Sequence, residues 1–477
     1  MHAIPRLRPP AHPTASFSRR LAMSIHSLID TSPPIHRGMV ALDRDAFHKP
    51  VPVLAAKITP KITGVFIRSP TLKTLLMDLP RVLPVHKAPD NDRLVLFKFS
   101  DEADLTPEAA EFLQQHSAQL VKHTLHFHYD DWNADEILNA VLPEDLSEGA
   151  PPSSFAVSGH IAHMNLRPEY YPYKYLIGQV ILDKNPGIKT VVNKIDNISN
   201  QFRIFNMELL AGEPDYKVVH HEANCRFTFD FTQVYWNSRL NHEHERIVQL
   251  FSPQDVIADV FAGVGPFSIP AAKKGCGVLA NDLNPKSYKY LRQNIDDNKV
   301  TQLVRPSCED GRGFIRDVFN NIYDLPLPPV LPSEPSRSQL RRLSKQRRGS
   351  PHANPAPVDA VSLVPPRRRI THFVMNLPDS AIEFLDAFRG VLRPVSGSRD
   401  LSGLYYSTSK LPMIHCYCFA REREPASAES DIRRRVEEKL GHALGQEMSL
   451  HFVRAVAPHK QMYCISFRLP YKVAYAA

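Results

Sequence analysis

The chain has no run of eighteen apolar residues, so no membrane-spanning helix is expected and no membrane partner is assigned. Its six cysteines (Cys225, Cys276, Cys308, Cys416, Cys418 and Cys464) form no CxxC pair. That argues against a disulfide framework and a zinc ribbon, and it points to a reducing compartment. The histidine pairs His220-His221 and His242/His244 lack a clustered third ligand and read as ordinary polar side chains, so no metal is expected. The first 29 residues contain no acidic residue at all but carry Arg6, Arg8, Arg19 and Arg20. Such a segment has the composition of a mitochondrial presequence or of a solvated basic tail. Met23 offers a second start that would remove the arginines, so mitochondrial matrix, cytoplasm and nucleus are all expected locations.

What is present fits a soluble multidomain protein: 477 residues, 43% hydrophobic, 23% charged, net charge +8. The basic balance favours a polyanionic partner such as nucleic acid. Residues 1–39 read as a targeting or disordered segment. Residues 40–148 read as a small α/β domain, with a strand at 62–67 and helices at 71–79 and 107–113. After a linker at 149–154, residues 155–245 form a middle α+β domain with strands at 180–182, 190–193, 202–207 and 227–231 and a closing helix at 241–250. From 246 to 477 the pattern is strand–loop–helix: strands at 256–260, 278–281, 304–307 and 371–375, helices at 268–274 and 286–298. This alternation implies a parallel, doubly wound sheet. It is interrupted at 325–369. Between Ser333 and Arg369 there are nine Lys or Arg against two acids. A disordered insertion is expected there.

The chemistry starts at Asp259-Val-Phe-Ala-Gly-Val-Gly-Pro-Phe267. Gly263 and Gly265 allow a sharp turn and close approach to a ligand, Phe261 lies between strand and turn, and Pro266 suits a first helical turn. The nicotinamide fingerprint wants a third glycine where Ser268 stands, and the kinase loop wants an absent Gly-Lys-Ser/Thr. Asp282, ending the next strand, can accept both ribose hydroxyls of a nucleoside, and Leu283 can pack on its adenine. In Glu309-Asp-Gly311, Asp310 can meet the adenine amino group, with Gly311 opening the following helix. Together these strand ends indicate S-adenosylmethionine as cofactor. Asn376-Leu-Pro378, after the strand at 371–375, presents an amide and a carbonyl to a planar nitrogen nucleophile, with Pro378 fixing the backbone.

The chain resembles the eukaryotic and archaeal tRNA (guanine(37)-N(1))-methyltransferases. The matching blocks are Gly159-His-Ile-Ala-His-Met-Asn-Leu-Arg167, Phe202-Arg-Ile-Phe205 with Glu208-Leu-Leu-Ala-Gly-Glu213, Val234-Tyr-Trp-Asn-Ser-Arg-Leu240, Glu243-His-Glu-Arg246, the loop at 259–267, Asn376-Leu-Pro378 and Val453-Arg-Ala-Val-Ala-Pro458. The resemblance implies a Rossmann-like methyltransferase domain behind a middle domain that packs with it and a small tRNA-binding domain. It implies a monomer acting on guanosine at tRNA position 37. It also implies roles: Glu243 as the base at guanine N1, Arg203 stabilising O6, Asn376 orienting the base, and His244 beside the methionine end of the cofactor. Glu245 competes for the role of base but lies on another helix face. Arg239, Arg454, His459 and Lys460 are possible phosphate or base contacts. Two alternatives stay open: an aminocarboxypropyl transferase acting on modified tRNA, and a non-catalytic RNA-binding protein.

Overall fold

The computed structural model describes residues 29–79, 82–146, 150–195, 202, 206–330, 365–394, 399–422, 424–457 and 459–477. The expected presequence, most of the expected insertion, the strand residues 203–205 and Arg203 itself therefore lie outside the described residues. The chain divides into two compact units, one comprising the residues up to Ser153 with Tyr175–Lys184, the other Ser154–Lys174 with Asn185–Ala477.

The first unit is built on an antiparallel sheet of β1 (Lys49–Ile58), β2 (Val85–Lys87), β3 (Arg93–Leu96) and β4 (Gln119–Phe127), in the order β2-β3-β1-β4. Leu54, Ala56 and Ile58 of β1 point into a core with Val95, Phe97 and Phe99. Residues 62–67 were expected as a strand; instead α1 spans Thr63–Arg68, followed by α2 (Pro70–Lys73). Phe66 is fully buried against Phe112 of α3 (Pro107–Gln115), and this tertiary packing overrides the β-branched composition. Helix α3 begins as its sequence dictates, with Pro107 in the first turn and the Thr106 hydroxyl accepting from the Ala109 N–H at 3.2 Å. Helix α4 (Ala134–Val141) carries a capping box between Asn133 and Glu136. The expected strand at 180–182 is also a helix, α5 (Lys174–Lys184). Its buried Leu176, Ile177, Val180 and Ile181 repeat with helical spacing that the short apolar run concealed.

The second unit opens with β5 (Ala156–Ser158), β6 (Ile161–Met164), β7 (Thr190–Lys194) and β8 (Met207–Gly212), a mixed sheet in chain order. The hairpin β9 (Lys217–Glu222) and β10 (Cys225–Asp230) follows, then helix α6 (Asn241–Gln249). Seven strands make the main sheet: β11 (Val256–Asp259), β12 (Gly277–Asn281), β13 (Val304–Ser307), β14 (His372–Met375), β15 (Met413–Ala420), β16 (Met448–Ala457) and β17 (Lys460–Arg468). Their order is β13-β12-β11-β14-β15-β17-β16. The first five in that order are parallel, as the alternation implies, whereas β17 runs antiparallel to β15 and to β16. The order reverses between β11 and β14, which opens a crevice at the carboxyl ends of those strands.

Helices α7 (Ser268–Lys273), α8 (Pro285–Asp297) and α9 (Gly311–Asp324) connect the parallel strands. Asn294 of α8 is fully buried. It accepts from the Thr228 N–H of β10 at 2.7 Å and donates to the Val264 carbonyl at 3.1 Å, tying the hairpin to the glycine loop. At the flank, Leu327 and Arg367 form an antiparallel bridge that draws together the two sides of the segment between them. The Arg367 guanidinium, buried enough to lower its pKa, donates to the carbonyls of Pro328, Pro253 and Gly275. No helix among the described residues is long and apolar enough to cross a membrane.

Candidate active site

Four strand ends converge on the crevice. Asp259 closes β11, fully buried, with Oδ2 accepting from the Ser268 hydroxyl at 2.6 Å and Oδ1 without a partner in the structure. Burial pushes its carboxyl up to about 7, and the nearby Asp282 adds to the rise. Gly263 and Gly265 both take positive φ (+57° and +100°), for which glycine is the natural residue. A Cβ on Gly265 would strike Ile269 and Leu291 at 2.8 and 2.9 Å, whereas one on Gly263 would meet nothing within 4 Å. Gly265 is thus required by packing, and Gly263 faces open space.

That space is bounded by Asp282, whose two oxygens accept from the Gly263 N–H at 2.8 Å and the Asn284 N–H at 2.9 Å. The Ser287 hydroxyl is a third donor to this carboxylate, which leaves acceptor capacity for a ribose hydroxyl. Burial raises the carboxyl pKa above the ordinary value, against the two backbone donors and Ser287. Leu283 beside it is 37% exposed, an apolar face available for a planar ring. Asp310 caps α9, one oxygen accepting from the Arg312 and Gly313 N–H groups at 2.9 and 3.4 Å. Gly311 admits the Phe261 ring, since a Cβ there would lie 2.9 Å from it; Phe261 in turn meets Phe384 edge-on at 5.0 Å. Asn281 is a staple that sequence reasoning missed. Its amide donates to the Val260 and Glu309 carbonyls, and its carbonyl accepts from Ser307 and the Glu309 N–H, all at 3.0–3.2 Å. An orphaned carboxylate oxygen, a paired carboxylate and an open glycine suit an adenosyl cofactor.

Across the crevice, Asn376 directly follows β14, with its Oδ1 buried and unpartnered. Pro378 accepts from the Phe419 N–H at 3.0 Å, which anchors the turn to β15. Met375 is in register with Cys416, so Asn376 lies beside Tyr417. The Tyr417 hydroxyl, fully buried, donates to Glu243 Oε1 at 2.8 Å. Glu243 itself is buried at 6% exposure, while Glu245 is exposed, so the structure separates the two competing acids. Arg246, one turn on, donates from Nη2 to Oε1 at 2.6 Å and from Nε to Oε2 at 2.7 Å. That bond raises the guanidinium pKa. The i,i+3 spacing of Glu243 and Arg246 was visible in the sequence; nothing there marked Tyr417.

His244 is buried on the same helix. Its Nδ1 is 2.6 Å from Glu222 Oε1, and its ring meets Phe267 edge-on at 4.8 Å. Burial alone would raise the Glu222 pKa, but His220 and His244 outweigh it and hold the carboxyl at about 2. These histidines therefore serve a carboxylate, and no group among the described residues is arranged to hold a metal ion.

Arg239 is exposed, whereas Arg454 is half-buried and has its pKa lowered by burial and by Arg239. Lys194 is brought down to about 8 by burial first and Arg239 second. His163 falls to about 3 through burial, Lys194 and Arg239. Arg239, Arg454 and Lys194 thus form one electropositive cluster, to which the uncharged His163 adds no charge. Lys460 lies elsewhere, paired with Asp379 at 3.7 Å just after Pro378 and set over the Phe419 ring; His459 is exposed at positive φ.

A doubly wound sheet with a glycine turn, two strand-end carboxylates and an Asn-Leu-Pro turn at its switch point defines a Rossmann-like methyltransferase domain. Comparisons with known proteins agree. The model of the TRM5/TYW2 methyltransferase domain matches residues 218–324, and that of the TYW2 N-terminal domain matches residues 134–215. The tRNA (guanine(37)-N(1))-methyltransferase of Coprinopsis cinerea is 54% identical over 455 residues, covering 94% of this chain and 98% of the relative. That of Schizosaccharomyces pombe is 43% identical, covering 91% and 95%. The chain belongs to the tRNA (guanine(37)-N(1))-methyltransferase family. Trm5b of Pyrococcus abyssi shares the fold with a TM-score of 0.53 at 23% identity, over 87% of this chain and 98% of that one. The aTrm5 protein in its complex with tRNALeu does so with a TM-score of 0.55 at 20% identity, over 87% and 100%.

Proposed function

We propose that this chain transfers a methyl group from S-adenosylmethionine to N1 of guanosine 37 in tRNA, beside the anticodon, and so supports reading-frame maintenance. The observation that carries this is the buried, unpartnered Asn376 Oδ1 beside the Glu243–Tyr417 pair. A buried acceptor without a donor is costly unless a ligand supplies one, and the Watson–Crick edge of guanine is rich in donors.

When bound, the cofactor supplies an electrophilic methyl group. Gly263 leaves room for it, Asp282 receives its ribose, Leu283 and Phe261 flank its adenine, and Asp310 meets the amino group. Gly311 keeps Phe261 close, Gly265 sets the turn, and His244 stands toward the methionine end. Guanine N1 carries a proton at neutral pH and is a poor nucleophile until it leaves. Glu243 takes that proton, Asn376 orients the ring, and Arg203, outside the described residues, offsets charge developing on O6. The electropositive surface of Lys194, Arg239 and Arg454 suits RNA phosphates, which fix register more than sequence. Lys460 and His459 add contacts near the acceptor turn, and the first unit binds tRNA.

The test is incubation with unmodified tRNA transcripts and labelled cofactor, followed by mass mapping. N1-methylguanosine at position 37, lost when that base is adenosine, is expected. Label arriving as an aminocarboxypropyl group, or not at all, overturns the proposal. The protein acts as a monomer, checked by a sedimentation mass near 54.0 kDa. It is distributed among mitochondrial matrix, cytoplasm and nucleus, as the basic first 29 residues and Met23 suggest. Tagged protein started at Met1 alone should enter mitochondria, and protein started at Met23 should not.

A further inference from the structure

We propose that Arg246 and Tyr417 are positioning residues of the methyl-transfer step: together they hold the Glu243 carboxylate so that a single lone pair, on Oε2, is left to receive the proton from the acceptor base. The inference rests on the reading of Glu243 as that base.

A carboxylate offers about four lone-pair sites. Oε1 uses two, for the Tyr417 hydroxyl at 2.8 Å and Arg246 Nη2 at 2.6 Å. Oε2 uses one, for Arg246 Nε at 2.7 Å. The two donors come from different elements, Arg246 from one turn along α6 and Tyr417 from the middle of β15. The fork fixes the plane of the carboxylate, and the phenol distinguishes one oxygen from the other. The two oxygens are chemically equivalent, so what the fork and the phenol select is the oxygen position left with an open lone pair.

The other groups facing Glu243 can be named. Cys464 on β17 is in register with both Tyr417 and His451. Its thiol is pushed up to about 12 by burial, first of all, and by Glu243, and stays neutral. His451 on β16, half exposed, places Nε2 3.5 Å from Oε2. His415 is forced down to about 3 by burial first, with His372 and Arg246 adding to the fall, and carries no charge at neutral pH. Arg246 is therefore the permanent positive charge in contact with Glu243. His451, close to Oε2, is half exposed to solvent, and through Tyr417 the carboxylate sits one strand from Asn376.

Removing a donor costs the carboxylate its alignment, so the rate falls. A residue that merely filled space would not lower the rate in this graded way, nor would its function be recovered by a conservative replacement that keeps the donor.

The experiment is the single-turnover methylation rate of an unmodified transcript at saturating cofactor. It compares wild type with Glu243→Gln, Tyr417→Phe, Arg246→Lys and Arg246→Met. Tyr417→Phe should lower the rate about tenfold and Arg246→Met about a hundredfold. Arg246→Lys should recover only part of the rate that Arg246→Met loses, because a point charge replaces a planar fork. Affinities for cofactor and for tRNA should be unchanged throughout. Should Arg246→Met fail to fold, Tyr417→Phe and Arg246→Lys decide the matter. If these variants keep the wild-type rate while Glu243→Gln is inactive, the positioning roles are wrong and the base stands. A Glu243→Gln enzyme with the wild-type rate removes the base itself and the inference with it.

Discussion

At the scale of single residues, Asp259 is a fully buried acid. An acid sealed in the sheet with one oxygen unpartnered keeps its proton up to about pH 7, whereas the unfolded chain releases it near 3.9. The native state thus binds more protons between those values, and by linkage stability falls as pH rises through that window. Asp259→Asn keeps an acceptor for Ser268 and removes the titration. The melting temperature of this variant should fall less between about pH 4.5 and 7.5 than that of wild type, as differential scanning fluorimetry would show. An equal decline in both proteins would refute the assignment. Some of the site was legible at this scale. Asp282, Gly263, Gly265 and Asn376 stand at strand ends where backbone geometry demands particular residue types. Tyr417 and Asn281 act only through neighbours distant in the chain, Glu243 for one and Val260 and Glu309 for the other, and no local pattern announces them.

At the scale of elements, the turn between β11 and α7 separates two uses of glycine. Gly265→Ala drives a methyl into Ile269 and Leu291 at an unfavourable φ. It should cost about 2 kcal/mol or more of stability. Gly263→Ala meets no atom, so it should cost only about 1 kcal/mol for its left-handed conformation. Its methyl nevertheless points into the proposed cofactor space. Calorimetry should show S-adenosylmethionine affinity weakened by about tenfold, equivalent to about 1.4 kcal/mol. Equal affinity in Gly263→Ala and wild type would place the cofactor elsewhere. The element-level reading succeeded where periodicity was long or punctuated, as in α8 and β13. It failed at α1 and α5, where short β-branched or apolar runs carry no period of their own and packing decides.

At the scale of the whole molecule, the parallel alternation anticipated the middle of the main sheet but not its antiparallel edge, because β16 and β17 pair across a hairpin rather than through a helix. The Leu327–Arg367 bridge closes the catalytic unit across the expected insertion. Three carbonyls hold the Arg367 guanidinium in place whatever lies between. Replacing residues 331–364 by a short Gly-Ser link should leave melting temperature and cofactor affinity nearly unchanged, since shortening such a connection about fourfold alters closure entropy by only about 1 kcal/mol. A collapse of either would show that the segment belongs to the fold.

The order of strands also has a consequence for synthesis. Residues 259–311, which shape the cofactor side, leave the ribosome well before Asn376 and Tyr417, which complete the acceptor side. Yet β14 pairs with β11 and Phe384 packs on Phe261, so the donor side is completed only once residues 372–384 have followed, and both sides of the site come into being late in synthesis.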